Sequence, residues 1–221
     1  MAALQAWAKV AGQPPINVKM VLEGEEEAGG ESLAAYLPNH LERLRADAVL
    51  ICDTHMVNDL QPSLITSLRG IVCAELAVFG ARSDLHSGSY GGIAPNPLHA
   101  LCLLLSRLKG EDGRINIAPL AEHIPTPSEA ERQLWRDDSL GIASGLLAGM
   151  GVAESVGEND YPLLERIGIR PTLEVHLFDG GFTGAGSKTV IPAEAVAKIS
   201  MRLPSELDPQ QVFTWLEEAA Q

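Results

Sequence analysis

The sequence contains few aromatic residues, few basic residues and only three cysteines. Lys and Arg total 16 against 29 Asp and Glu, which gives a formal net charge of −13. An acidic surface repels the phosphates of nucleic acids and of anionic lipids, so neither a nucleic acid nor a membrane is an expected partner. The sequence has no run of about 18 apolar residues, which predicts no membrane-spanning helix. It also has no basic start followed by an apolar core, so no secretory signal is expected.

The cysteines are Cys52, Cys73 and Cys102, and each stands in an apolar run. An odd number at wide spacing is not a disulfide framework, and no pair has zinc-finger spacing. We therefore expect three buried, reduced thiols and a cytoplasmic protein.

Several catalytic motifs are also missing, since the chain has neither H-E-x-x-H nor G-x-S-x-G. The stretch GGFTGAGSKT approaches a phosphate-binding loop, but Ser187 separates Gly186 from Lys188. The apolar residues that follow it do not open a helix. A backbone nest that binds a substrate carboxylate remains an alternative for this loop.

The first part of the chain has the pattern of an α/β fold. A helix is predicted at residues 2–11, a buried strand at 17–22, a helix at 31–45 and a second strand at 48–52. Strand–helix–strand units of this kind usually build parallel sheets, and their functional residues gather where the strands end.

The pattern changes near Leu68. A half-exposed strand is predicted at residues 70–80, followed by the loop SDLHSGSYGG and by a helix from Pro97 to Lys109. Short helices are expected between residues 110 and 160. Strands follow at 173–178 and within 189–203, and Asp208 opens a last helix.

Three acidic or histidine features could carry chemistry. Glu23 and the run Glu25 to Glu27 follow the first strand, and crowded carboxylates favour a bound cation, although a solvated loop is the alternative. Asp53 follows the second strand and is either a metal ligand or a loop residue. His86 stands among glycines and could bind a metal or donate a hydrogen bond to an oxyanion. His55, close to Asp53, is the next histidine to consider, and the other four are expected to be structural.

Seven segments together carry a family resemblance: LEGEEEAG (22–29), ICDT (51–54), LRG (68–70), DLHSGSYGG (84–92), NP (96–97), GSKTVIP (186–192) and ISMRLP (199–204). The chain resembles the metallopeptidases that include carnosinase-type dipeptidases, acetylornithine deacetylase and succinyl-diaminopimelate desuccinylase. The resemblance implies a partial catalytic domain at residues 1–67, with a parallel-type sheet and helices. It also implies an inserted α+β lid and dimerisation domain at residues 68–221, with an antiparallel sheet that lacks its last strand.

The same resemblance implies roles for single residues. Glu26 corresponds to the general base that takes a proton from the metal-bound water, while Glu27 and Asp53 correspond to ligands of two divalent ions, Zn²⁺ or Mn²⁺. His86 corresponds to the lid histidine that reaches across a homodimer. Thr189 and Arg202 correspond to lid residues that hold the substrate, with Arg202 on its terminal carboxylate. Three consecutive glutamates leave a shift of one residue open for Glu26 and Glu27.

The family also has an upstream H-x-D segment and a downstream histidine ligand, and neither is present here. We therefore expect a fragment of a two-metal dipeptidase that hydrolyses dipeptides, inactive as this chain alone. One alternative is a catalytically incompetent lid and dimerisation module. The other is an N-acyl amino acid deacylase on the same scaffold.

Overall fold

The computed structural model describes residues 1–53, 65, 68–137, 139 and 141–221. The chain divides into two units, residues 1–55 and 56–221, which are treated separately below. The predicted boundary between residues 67 and 68 borders residues outside these ranges and stays a prediction. His55 also lies outside the described residues.

The first unit contains short helices joined by extended segments. Helix α1 spans Ala2–Ala11, as predicted, and a 3-10 helix spans Glu26–Ala28. The predicted helix at 31–45 is broken into α2 (Glu31–Asn39) and α3 (Leu41–Leu44). Pro38 has no backbone N–H to donate and its ring crowds the preceding turn, so the helix ends shortly after it.

The two strands predicted in the first unit are wrong in this structure. Residues 17–22 and 48–52 form no strand and are exposed to solvent. A strand is stabilised by hydrogen bonds to a neighbour and by a face that packs, and the described residues of this unit contain no paired strand. The parallel-type sheet expected for residues 1–67 is therefore not formed by the residues that the structure describes.

The second unit is built on an antiparallel sheet, as predicted. Strands β1 (Gly70–Phe79), β3 (Thr172–Gly180) and β5 (Glu194–Leu203) pair in the order β1-β5-β3, so β5 has a partner on each side. Two short strands, β2 (Leu85–His86) and β4 (Val190–Ile191), form a separate antiparallel pair. The described residues include no further partner strand for the outer edge of β1.

Seven helices are described in this unit, and the two longest begin as the sequence predicts. They are α4 (Ser87–Tyr90), α5 (Pro97–Leu108), α6 (Ala118–Glu122), α7 (Glu129–Arg136), α8 (Ile142–Met150), α9 (Leu163–Gly168) and α10 (Pro209–Ala220). Asn96 Oδ1 accepts the Leu98 N–H at 3.0 Å to start α5. Asp208 Oδ1 accepts the Gln210 N–H at 2.9 Å to start α10. None of the described helices is long and apolar enough to cross a membrane.

One face of the three-stranded sheet packs against α5 and α10. Along β1, Val72 is buried while its neighbours Ile71 and Cys73 are exposed, as expected when successive side chains alternate between faces. The buried core comprises Val72, Leu101, Leu104, Leu108, Ile117, Leu120, Leu173, Ala195, Ala197, Ile199, Met201, Leu203, Val212 and Leu216. The sheet and these two helices therefore share one hydrophobic core.

All three cysteines are exposed, which corrects the prediction that they are buried. Cys73 lies on the face of β1 opposite Val72, and Cys102 follows the buried Leu101 on α5. Cys52 belongs to the unpaired segment of the first unit. Apolar neighbours in sequence do not decide which way a side chain points, because direction alternates along a strand and turns by about 100° per residue in a helix.

The segment between α6 and β3 is held by ion pairs around buried carboxylates. Glu165 is 1% exposed and accepts from Arg132 Nη2 at 3.2 Å. Glu158 pairs with Arg170, whose guanidinium also lies over the Tyr161 ring at 4.1 Å. Removing one partner of a buried pair leaves an uncompensated charge, so these contacts restrict how the segment can fold.

Replacing Leu101 by Ala should destabilise the second unit strongly. Its side chain is 0% exposed between α5 and the sheet, and large-to-small changes at such sites cost about 2–5 kcal/mol. Leu103 on the same helix is 65% exposed, so Leu103→Ala should change the free energy of unfolding by less than about 0.5 kcal/mol. Urea unfolding followed by circular dichroism compares the two variants, and equal losses would contradict this account of the core.

Candidate functional site

The acidic run of the first unit forms a tight turn. The carbonyl of Glu25 accepts the N–H groups of Ala28 and Gly30, both at 2.9 Å. Gly29 and Gly30 take φ values of 107° and 64°, a region that glycine enters without strain. The two glycines of EGEEEAGG thus close the turn that carries Glu26 and Glu27.

The carboxylates of this unit suit a divalent cation in type, but the described residues do not complete a site. Glu26, Glu27 and Asp53 are all exposed, and carboxylate oxygens are ligands that Zn²⁺ and Mn²⁺ accept. Among the residues that the structure describes, no group of three or more His, Cys, Asp or Glu side chains is placed to hold a metal. A bound metal would therefore need further donors besides these carboxylates.

The second unit holds His86 on a loop that is fixed at several points. The pairing of β2 with β4 sets His86 opposite Val190. The Ser87 N–H donates to the Thr189 carbonyl at 2.9 Å, and Asp84 Oδ1 accepts the Ala193 N–H at 3.0 Å. These bonds tie the DLHSG segment to the strand that leads out of the GSKT loop.

Both imidazole nitrogens of His86 have partners. Nδ1 accepts the Gly88 N–H at 3.0 Å, which makes His86 the N-cap of α4. Nε2 lies 3.0 Å from Thr189 Oγ1. The structure therefore brings together His86 and Thr189, which stand 103 residues apart in the sequence, and both side chains remain exposed.

Arg202, the third predicted lid residue, lies far from this pair. It is at the far end of β5, eight residues beyond Glu194, which is about 26 Å along a strand. His86 and Thr189 belong to the other end, because the Ala193 carbonyl accepts the Gly80 N–H at 2.8 Å just outside the Phe79–Glu194 pair. The described part of one chain therefore does not place Arg202 beside His86 and Thr189.

Arg69 is a candidate that the sequence patterns did not single out. It directly precedes β1, whose first two residues, Gly70 and Ile71, pair with Leu203 and Arg202. Its Nη1 is buried and has no hydrogen-bond partner among the residues that the structure describes. Burial, and then the positive charge of Arg202, lower the pKa of Arg69 below its ordinary value. Two guanidinium groups near each other in an acidic chain create a local positive field that suits a carboxylate, and only the short motif LRG could have pointed to it.

Comparison with known proteins supplies the family. The family described as "Peptidase dimerisation domain", M20_dimer, matches residues 66–221. The chain therefore belongs to the M20 peptidase family.

The relatives are metallodipeptidases that are longer than this chain. A Cys-Gly metallodipeptidase of Schizosaccharomyces pombe is 30% identical over 220 residues, covering 99% of this chain and 46% of the relative. A beta-Ala-His dipeptidase of Rattus norvegicus is 29% identical and covers 90% of this chain and 41% of the relative. The solved structure of the di-peptidase Dug1p from Saccharomyces cerevisiae superposes with a TM-score of 0.76 at 29% identity, covering 96% of this chain and 45% of that one. This chain thus spans under half the length of these relatives.

Proposed function

We propose that this chain is part of a dipeptidase that uses two divalent metal ions, Zn²⁺ or Mn²⁺, to hydrolyse the peptide bond of dipeptides. Residues 1–67 contribute part of its catalytic domain, and residues 68–221 form its lid. The outer edge of β1 has no partner strand among the described residues and can accept one. The observation that carries the proposal is the pairing of His86 with Thr189. Two residues assigned to the lid from motifs far apart in the sequence share one hydrogen bond.

The catalytic part of the proposal assigns Glu26 as general base and Glu27 and Asp53 as metal ligands. Divalent ions, when bound, lower the pKa of water and polarise a carbonyl group. Glu26 accepts the proton of the attacking water and passes it to the leaving amine. Its position in the turn closed by Gly29 and Gly30 supports this role, because the turn fixes the backbone on either side of the carboxylate.

In the lid, His86 donates a hydrogen bond to the developing oxyanion, and Arg202 and Thr189 bind the substrate. Preorganised hydrogen-bond donors aimed at a developing charge give a large share of catalysis. An arginine binds a terminal carboxylate through two parallel hydrogen bonds, and we assign Arg69 a supporting charge beside it.

The distance along β5 supports an active site shared between two subunits. A dipeptide backbone spans at most about 7 Å, whereas about 26 Å of strand separates Arg202 from the end that holds His86 and Thr189. One chain therefore does not bring Arg202 and the pair of His86 and Thr189 to the same dipeptide. In a homodimer joined through the lid, Arg202 serves its own subunit, while His86 and Thr189 serve the partner's site.

In the complete protein, Glu26→Gln should lower kcat by about 10²–10⁴-fold, because an amide does not accept the proton. Bound metal should stay unchanged, as measured by elemental analysis. Glu25→Gln is the matched control one residue earlier in the same turn and should retain activity. Both a dipeptide and an N-acetylated amino acid are assayed, since faster cleavage of the acetylated compound would favour a deacylase.

The three consecutive glutamates make the control decisive. Loss of activity in Glu25→Gln with activity retained in Glu26→Gln would overturn the assignment of the base. Loss of metal in Glu26→Gln would exchange the roles given to Glu26 and Glu27.

Mixing two inactive variants of the complete protein should restore activity. A dimer of one His86→Ala subunit with one Glu26→Gln subunit holds one site with both groups intact, so random reassociation of equal amounts should give about a quarter of wild-type activity. Native mass spectrometry verifies that mixed dimers form. Verified mixed dimers without activity would contradict a shared active site.

A second candidate function for the chain as it stands is a dimerisation module without catalysis. The family match over residues 66–221 favours it, as does the lack of a complete metal-ligand cluster in the described residues. We expect sedimentation equilibrium at micromolar concentration to show a dimer. Titration with Zn²⁺ or Mn²⁺ should show weak binding, and no dipeptide should be cleaved. Tight binding of two ions that disappears in Glu27→Ala would contradict the module, with His55 then the first residue to test as a ligand.

A further inference from the structure

The hydrogen bonds of His86 fix which nitrogen carries its proton. An N–H group donates, so the Nδ1 atom that accepts from the Gly88 amide at 3.0 Å must hold a lone pair. The neutral ring then carries its proton on Nε2. Nε2 donates to Thr189 Oγ1, which lies 3.0 Å away.

We propose that Gly88 is a positioning residue that holds His86 as the Nε2–H tautomer, ready to donate from Nε2. This inference rests on the proposed function and adds to it the reason why the loop must have glycine at this position. Thr189 Oγ1 accepts the bond in the resting lid. The substrate oxygen takes that place in the reaction, so no proton has to move within the ring before the donor is ready.

The space around Gly88 is limited by the imidazole itself. A Cβ atom at Gly88 would lie 2.7 Å from His86 Cε1 and 3.0 Å from His86 Nδ1. The first distance is too short for two carbon atoms in contact, so any side chain here pushes the ring away from the amide. The Gly88 N–H thus binds the imidazole ring, and the lack of a Cβ atom at Gly88 leaves room for the ring to approach.

The cap requires one particular tautomer, because a histidine can cap a helix only through a nitrogen without a proton. A backbone donor at Nδ1 excludes the Nδ1–H tautomer, in which two N–H groups would face each other. The opposite tautomer would leave Nε2 as an acceptor, which repels an oxyanion. The cap on α4 therefore keeps Nε2 protonated and able to donate a hydrogen bond.

Two substitutions of His86 separate the cap from the donor. In His86→Asn the side-chain oxygen replaces Nδ1 and keeps the bond from Gly88, as asparagine is a favourable N-cap, but nothing replaces Nε2. In His86→Gln the amide nitrogen reaches the level of Nε2 and keeps a donor there. In the complete protein, kcat/KM should fall by about 10²–10³-fold in His86→Asn. The decrease in His86→Gln should be smaller by a factor of at least ten.

The tautomer itself is measured on the present chain by nitrogen NMR with labelled histidine at alkaline pH, where imidazole is neutral. His86 signals are assigned by their loss in His86→Gln. We expect a protonated Nε2 and an unprotonated Nδ1 in the wild-type chain, and a mixture of tautomers in Gly88→Ala. Gly149→Ala is the matched control, because a Cβ there meets nothing within 4 Å, and it should leave the spectrum unchanged.

A protonated Nδ1 on His86 in the wild-type chain overturns the proposal, and so does greater activity in His86→Asn than in His86→Gln. An unchanged tautomer in a folded Gly88→Ala chain also overturns it, because the glycine is then not needed. If the complete wild-type protein cleaves no dipeptide, the proposed function fails. The NMR result on this chain would still decide the role of Gly88.

Discussion

Strand β5 forms backbone hydrogen bonds to β1 on one side and to β3 on the other, and the second unit depends on this double pairing. Its buried face supplies Ala195, Ala197, Ile199, Met201 and Leu203 to the core under α5 and α10. The same strand separates the two groups of predicted site residues in the unit. Thr189 lies a few residues before it, and Arg202 lies near its last residue. A central strand with two partners is stiff, so the spacing between these ends is set by backbone geometry and not by flexible loops.

The loop that holds His86 gains its order from backbone groups and from the short side chain of Asp84. The Ser87 amide, the Thr189 carbonyl and the Ala193 amide all form bonds that fix the loop, and none depends on a long side chain. Such bonds lose little side-chain entropy when they form, which favours a His86 loop that is ordered before any ligand binds. His86 remains exposed, and an exposed histidine on a rigid loop can meet a ligand without a rearrangement of its own chain.

The sequence predicted those parts whose signals are local. Asn96–Pro97 and Asp208–Pro209 identified the starts of α5 and α10, and alternation of apolar residues identified β1. Residues 17–22 show the limit of this approach, since they have a strand-like composition and yet pair with nothing in the described residues. Pairing depends on a partner, which composition does not supply. The contact between His86 and Thr189 spans 103 residues, so only the family resemblance associated the two residues. The closeness of Gly88 to the His86 ring could not be predicted from the sequence, because a glycine in a loop has the same pattern as a simple turn residue.

The length of β5 has a consequence for how the proposed dipeptidase would behave on dilution. If His86 of one subunit completes the site of another, the monomer has no complete site at all, and specific activity follows the fraction of protein that is associated. The rate then falls with the square of protein concentration once the dimer dissociates. Turnover in a cell would then depend on the concentration of the protein more steeply than in direct proportion. A cell could switch the activity off by lowering that concentration.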